Sequence, residues 1–109
     1  MIDRAGTGEI LLVDLNPVAG REQGGRRPVL VVSHRRYAAI PGLFLGVPIT
    51  SVHRGLPHHI LIPATAEAGL DRLSYAMPEQ VRALSLSRVD RRLGDLDDAT
   101  LGLVSRCVH

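Results

Sequence analysis

Short apolar runs along this chain alternate with polar segments that contain Gly and Pro, a pattern typical of short β-strands joined by turns. The first run, Ile10–Val13, lies within Gly8–Leu15, which we predict as a strand. A second, almost wholly apolar run, Pro28–Ser33, predicts a strand that is buried on both faces. The polar segment Asn16–Arg27 between them predicts a loop held at both ends by strands, a common way of presenting reactive groups.

Further strand signals follow at short intervals. Leu43–Ser51 predicts a third strand, in which Pro48 favours an edge position or a bulge because proline cannot donate a ladder hydrogen bond. His58–Pro63 predicts a fourth strand. Leu73–Leu86 predicts two short strands that are interrupted near Pro78.

Near the end of the chain the apolar residues take on a helical spacing, which predicts a helix from Asp97 to about Val108. Asp97 is suited to cap its N-terminus, and one helical face would carry Leu101, Val104 and Val108. Five or six short strands and one terminal helix predict a mainly β fold, with a strongly bent antiparallel sheet closed as a small barrel. At 109 residues, we expect one domain spanning 1–109.

Composition narrows the possible chemistry. Hydrophobic residues make up 45% of the chain and aromatic residues 3%, so the core must consist of Leu, Val, Ile and Ala. All thirteen basic residues are arginine, which excludes lysine nucleophiles and favours two-point contacts with phosphate. The single cysteine, Cys107, cannot form an internal disulfide, and no signal peptide or membrane-length apolar run is present, so we expect a cytoplasmic protein.

Four segments together resemble one known family, the MazF/PemK (Kid) toxins. Gly8–Ser33 is similar to the family's opening segment, and Pro48–Ser51 is similar to its P-x-T-S element. Glu79–Arg82 resembles its E-Q-x-R segment, and Leu93–Gly94 before the helix resembles its ending. The positions that match in the opening segment are Gly8, Glu9, Ile10, Val13, Asp14, Leu15, Pro17, Gly20, Glu22, Gln23, Gly25, Arg27, Pro28 and Val29–Ser33.

The resemblance implies an SH3-like barrel that forms a homodimer and serves as the toxin of a type II toxin–antitoxin module. It implies a sequence-specific endoribonuclease that cuts single-stranded RNA, mostly mRNA, without a metal or another cofactor. The 2′-OH of the RNA would attack the neighbouring phosphorus and leave a 2′,3′-cyclic phosphate and a 5′-OH. A cognate antitoxin with an acidic, flexible tail would cover the RNA groove and bind DNA together with the toxin, with no membrane involved.

The resemblance also implies the catalytic residues, which are Arg27 and Thr50. A fixed guanidinium suits the negative charge that develops on the phosphate oxygens, and a hydroxyl can donate to the same oxygens. Arginine stays protonated in proteins and is therefore a poor general base. The candidates for that role are Glu22, Glu79 and His34.

Polar residues around the catalytic pair are candidates for RNA binding. Glu79, Gln80 and Arg82 are equally compatible with a structural hydrogen-bond network. His58 and His59 are neighbours on a predicted strand, so we expect them to point to opposite faces and not to share a metal. The RNA-binding candidates are Arg21, Gln23, Arg26, Ser51, Gln80 and Arg82.

Two other functions remain as alternatives: a non-enzymatic gyrase poison of the CcdB type, and a catalytically inactive SH3-like binding module. CcdB-like proteins act through a C-terminal segment that contains tryptophan, whereas this chain has no Trp. The chain also retains the R-P and T-S elements, at Arg27–Pro28 and Thr50–Ser51, which favours the nuclease.

Overall fold

The computed structural model describes residues 5–15, 25–33 and 41–108. Within these residues the chain forms seven β-strands and one α-helix, α1, which spans Asp98–Val108. Short 3-10 turns at Pro78–Gln80 and Leu86–Arg88 follow β5 and β6. The strands are β1 (Glu9–Asp14), β2 (Arg26–Val31), β3 (Leu43–Thr50), β4 (Ile60–Ile62), β5 (Ser74–Ala76), β6 (Arg82–Ser85) and β7 (Val89–Asp95).

All the ladders between these strands are antiparallel, in the order β4-β5-β3-β2-β1-β7, and β6 also pairs with β3. One edge of β3 pairs with β2. Its other edge pairs first with β6, over Leu43–Gly46, and then with β5, at Ile49 and Thr50. The sheet therefore turns sharply around β3, and the predicted mainly β class with a C-terminal helix is confirmed.

Pro48 lies in a central strand, and the predicted edge position is wrong. On the β5/β6 edge of β3, Pro48 falls between the β6 ladder, which ends at Gly46, and the β5 ladder, which begins at Ile49. Its carbonyl accepts a hydrogen bond from Met77 N–H at 3.0 Å on this edge. Because no ladder requires an N–H at the junction, proline is tolerated there without an exposed edge.

The second strand begins at Arg26, two residues before the predicted start at Pro28. Arg26 pairs with Asp14 and Arg27 pairs with Val13, so backbone pairing to β1 extends the strand into the polar segment. Arg27 is therefore a strand residue and not a loop residue. The remainder of the predicted loop, residues 16–24, lies outside the described residues.

Strand β7 is the element that the sequence pattern did not predict. Its residues, VDRRLGD, show no alternation of apolar and polar positions, and most of them are exposed. It forms because β1 offers a free edge, and two register irregularities interrupt the β1–β7 ladder. Backbone pairing holds this strand in the sheet, and its two apolar residues, Val89 and Leu93, pack against different clusters.

The core consists of two apolar clusters on opposite faces of the sheet, built mainly from Leu, Ile and Val. Burying one such side chain fully contributes about 1.5–3 kcal/mol. Cluster 1 lies under α1 and contains Ile10, Leu30, Val32, Val47, Ile49, Ile62, Ala68, Leu70, Ala76, Leu96 and Val104. Cluster 2 contains Leu11, Val13, Leu15, Val29, Val31, Phe44 and Leu84.

The helix begins as predicted. The Asp97 carboxylate accepts hydrogen bonds from Thr100 N–H and Thr100 Oγ1, both at 2.9 Å, and these bonds hold the pKa of Asp97 below its usual value. Val104 is buried, and Leu101 and Val108 pack against cluster 1, so the predicted cap and apolar face are confirmed. No helix in the described part of the chain has both the length and the apolar character to span a membrane.

A close backbone approach fixes the end of β7 against the connection between β4 and β5. Asp95 N–H donates to Glu67 O at 2.8 Å. A Cβ on Gly94 would lie 2.1 Å from the same oxygen, and a Cβ on Gly69 would lie 2.0 Å from Leu93 O. Two glycines are therefore required for the backbones to meet here.

Gly94→Ala tests this contact. Gly102→Ala is its control, and we expect the two substitutions to change the free energy of unfolding in opposite directions. Gly94→Ala forces a Cβ into backbone atoms and should lower the free energy of unfolding by at least ~1–3 kcal/mol. Gly102→Ala lies in α1, where a Cβ meets no atom within 4 Å, and should raise it by ~0.5–1 kcal/mol. Urea unfolding at one fixed protein concentration measures both. A Gly94→Ala protein as stable as the wild type would contradict the contact.

Candidate functional site

The pairing of β2 with β3 sets the relation between the two predicted catalytic residues. Val29 pairs with Pro48, and backbone pairing ends there. Continuing the same antiparallel register by two residues sets Arg27 opposite Thr50, and both still belong to their strands. Because residues two apart in a strand share a face, Arg27 and Thr50 lie on the cluster 2 face of the sheet.

Thr50 is held in a defined orientation. It is only 6% exposed, and its Oγ1 accepts a hydrogen bond from Val52 N–H at 3.1 Å. A hydroxyl that accepts one bond still has its own hydrogen to donate. Arg27 is an exposed residue, so the pair combines an exposed arginine with a fixed hydroxyl of limited access.

The other described candidates for RNA binding divide between the faces of the sheet. Arg82 pairs with Gly46, four residues before Thr50, and so shares the face of Thr50. Arg26 alternates with Arg27 and so belongs to the opposite face.

Ser51 follows β3 directly and is exposed. Gln80 is also exposed, and its Nε2 donates to the sulfur of Met77 at 3.6 Å.

A pair of rings lies beside Thr50. Tyr75 is the cross-strand partner of Thr50 and is half-buried. The ring of His53 contacts it in a tilted arrangement, with 5.1 Å between the ring centroids. Leu61, on the far side of Tyr75, is 49% exposed. The same face therefore offers flat and apolar groups next to the Arg27–Thr50 pair; the contribution of His53 was not anticipated from the sequence.

Glu79 lies in the 3-10 turn after β5 and contacts two histidines. His59 Nε2 lies 2.8 Å from Glu79 Oε2, and His58 Nε2 lies 3.3 Å from Glu79 Oε1. Partial burial opposes ionisation of this carboxyl, but its contacts with His59 and His58 outweigh burial and lower the pKa of Glu79. Glu79 is thus an ionised carboxylate whose oxygens already have partners.

The expectation that His58 and His59 point to opposite faces of a strand is wrong. Strand β4 begins only at Ile60, and His58 lies in a turn before it. Without strand alternation the two Nε2 atoms converge on one carboxylate. Of the described residues, His58, His59 and Glu79 are those whose ligand atoms could hold a metal, with all three atoms within 4.8 Å of one another.

Four predicted site residues, Arg21, Glu22, Gln23 and His34, lie outside the described residues. Their roles stay predictions, as do the roles assigned to the residues described above.

This chain is similar to known proteins along nearly all of its residues. The family described as "PemK-like, MazF-like toxin of type II toxin-antitoxin system" matches residues 7–109. Endoribonuclease EndoA of Bacillus subtilis is 31% identical over 106 residues, which cover 94% of this chain and 89% of that protein. The matched region includes every strand and the helix described above.

Solved structures agree in fold. The crystal structure of MazF (Form-I) from Deinococcus radiodurans superposes with a TM-score of 0.81 at 30% identity, over 95% of this chain and 92% of that one. The MazE-MazF crystal structure (Form-II) from the same organism gives a TM-score of 0.75 at 30% identity, over 95% of this chain and 91% of that one.

Proposed function

The chain belongs to the PemK-like, MazF-like toxin family of type II toxin–antitoxin systems, and we propose that it cleaves single-stranded RNA, mRNA above all, at specific sequences and without a metal. EndoA, a relative along nearly the whole chain, is named an endoribonuclease, which supports this activity. The observation that carries the proposal is the β2–β3 register, which, continued two residues beyond the Val29–Pro48 pair, sets Arg27 opposite Thr50 on one face.

The proposed reaction uses a nucleophile that the RNA supplies. The 2′-OH attacks the adjacent phosphorus, the bond to the 5′ oxygen of the next nucleotide breaks, and a 2′,3′-cyclic phosphate and a 5′-OH remain. Negative charge grows on the non-bridging oxygens during this attack. The Arg27 guanidinium and the Thr50 hydroxyl would donate to those oxygens from fixed strand positions, so little reorganisation would accompany the charge.

The surroundings of this pair suit a single strand of RNA. Arg82 adds a second cation to the same face, where it would contact the phosphate backbone. Tyr75 and His53 offer ring faces for base stacking, which contributes about 1–3 kcal/mol per base in proteins that bind single strands. Arg21, Gln23, Arg26, Ser51 and Gln80 complete the set of proposed RNA contacts.

Proton removal from the 2′-OH has three candidates: Glu22, His34 and Glu79. A base must be free to accept a proton and should have a pKa near the working pH. The contacts of Glu79 with His58 and His59 and its lowered pKa both weaken it as a base. The proposal therefore rests on charge stabilisation by Arg27 and Thr50, and Glu79 is the least favoured of the three bases.

Partners follow from the family. We propose that the chain acts as a homodimer and is inhibited by a cognate antitoxin whose acidic, flexible tail covers the arginine-bearing face. MazF of Deinococcus radiodurans was crystallised together with MazE, which supports this kind of partner.

A cytoplasmic location is part of the proposal, because mRNA is the substrate. Neither a gyrase poison nor an inactive module is favoured, since the relatives are named endoribonucleases.

The mechanism makes a prediction about substrates. RNA should be cut at full rate in EDTA, and a single 2′-deoxy nucleotide on the 5′ side of the cut should block cleavage there, because it lacks the nucleophile. Mapping the ends of a long RNA measures both effects, with a 2′-deoxy nucleotide several positions away as the control. Cleavage that EDTA abolishes, or that proceeds normally at the deoxy site, would refute the mechanism.

Arg27→Ala should lower the rate of RNA cleavage by at least ~10²-fold, the effect of removing one donor to a developing oxyanion. Arg106→Ala is the matched control, because it removes an exposed arginine from α1, which packs against cluster 1 on the opposite face of the sheet. Single-turnover cleavage measures both variants, and circular dichroism and gel filtration check their fold and assembly. If Arg27→Ala unfolds the protein, the residue is structural; if it cuts RNA normally, the proposed role is wrong.

A further inference from the structure

The cluster of His58, His59 and Glu79 is a separate feature of the molecule. Glu79 comes from the 3-10 turn after β5, whereas the histidines come from the segment that enters β4. The two imidazole Nε2 atoms approach the two oxygens of one carboxylate, at 3.3 Å and 2.8 Å. No role in RNA cleavage proposed above uses either histidine.

His59 is unusually placed for a simple structural residue. Its side chain is 3% exposed, and Nε2 contacts Glu79. Its other ring nitrogen, Nδ1, is buried without a hydrogen-bond partner among the described residues. Nδ1 lies on the side of the ring away from Glu79, so its missing partner does not bear on the cluster; the burial of the ring instead holds Nε2 in place beside the carboxylate.

We propose that His58, His59 and Glu79 form a binding site for a divalent cation of the zinc type. Two imidazole nitrogens and one carboxylate oxygen are a ligand set that zinc uses when its fourth position is open. Glu79 is 37% exposed and His58 is 46% exposed, so that fourth position would face solvent.

The ligand atoms must move for an ion to fit, because the 2.8 Å contact between His59 Nε2 and Glu79 Oε2 has to open and the widest separation has to shrink. Zinc lies about 2.0–2.2 Å from nitrogen and oxygen ligands, so ligand atoms around one ion are roughly 3.3 Å apart. His58 Nε2 and Glu79 Oε1 already have this separation, at 3.3 Å. The widest separation in the group is at most 4.8 Å, and the exposed His58 ring is the member that can move inward. His59 is held in place by its burial.

A bound cation would tie two segments together. It would join the entry of β4 to the turn after β5, and these two strands already pair with each other. Because Tyr75 in β5 also pairs with Thr50, the ion would brace the edge of the sheet next to the proposed RNA face. The inferred role is structural reinforcement, and the proposed cleavage chemistry does not require the ion.

Isothermal titration with ZnCl2 at neutral pH tests the site in the absence of RNA. The protein should be free of a histidine tag, stripped with EDTA and then dialysed, and should carry Cys107→Ser so that the exposed thiol cannot bind zinc. We expect one zinc per chain with a dissociation constant in the micromolar range or below. Zinc should also raise the midpoint of thermal unfolding.

Substitutions of the two exposed ligands, Glu79 and His58, test whether these residues bind the ion. Glu79→Gln and His58→Asn should each weaken zinc binding at least tenfold and remove the thermal shift. His53→Asn is the matched control, since it removes an exposed histidine that contacts Tyr75 and should bind zinc as the parent protein does. Circular dichroism checks that each variant is folded, and two variants keep the test valid if one of them is not.

The proposal is overturned if the parent protein takes up no zinc at 0.1 mM, if both ligand variants bind as tightly as the parent, or if His53→Asn loses as much affinity as they do. Failure of the zinc proposal would not contradict the proposed nuclease activity, because RNA cleavage is measured in EDTA.

Discussion

The constraint on which the rest of the molecule depends is the pairing of β3. This strand has β2 along one edge, and along the other it passes from β6 to β5 at Pro48. Antiparallel pairing fixes register, and register decides which side chains share a face. Arg27, Arg82 and Thr50 therefore come to one face from three different strands. A shift of one residue between β2 and β3 would move Arg27 away from Thr50.

The same strand joins the packed core to the proposed RNA face. Toward its start, the cluster 2 face of β3 is covered by apolar neighbours such as Val29 and Leu84. Toward its end, the neighbours on this face are Tyr75 and, by register, Arg27. A rigid apolar core thus continues directly into a surface of cations and rings. Groups held by strands need little rearrangement when charge develops on a bound phosphate, which is the physical basis proposed for catalysis.

Much of this fold follows from local pattern. The apolar runs of β1 and β3 predict strands, and the spacing of apolar residues after Asp97 predicts the helix. Strand β7 could not be found in this way, because VDRRLGD has no apolar face and is held by pairing with β1. The start of β2 differs from the predicted one for the same reason: Arg26 and Arg27 are polar, but their backbones pair with β1. Long-range pairing overrides local preference at both places.

The candidate site was less accessible to sequence reasoning. Family resemblance points to Arg27 and Thr50, and the β2–β3 register relates them in space. Strand alternation does not reveal the convergence of His58 and His59 on Glu79, because both histidines precede β4. The most direct measurement is a crystal structure of the protein with a short RNA that is 2′-deoxy at the cleaved position. The account predicts one phosphate with a guanidinium nitrogen of Arg27 and Oγ1 of Thr50 both at about 2.7–3.2 Å from its oxygens. A phosphate that contacts neither group, or Arg27 without Thr50, would contradict it.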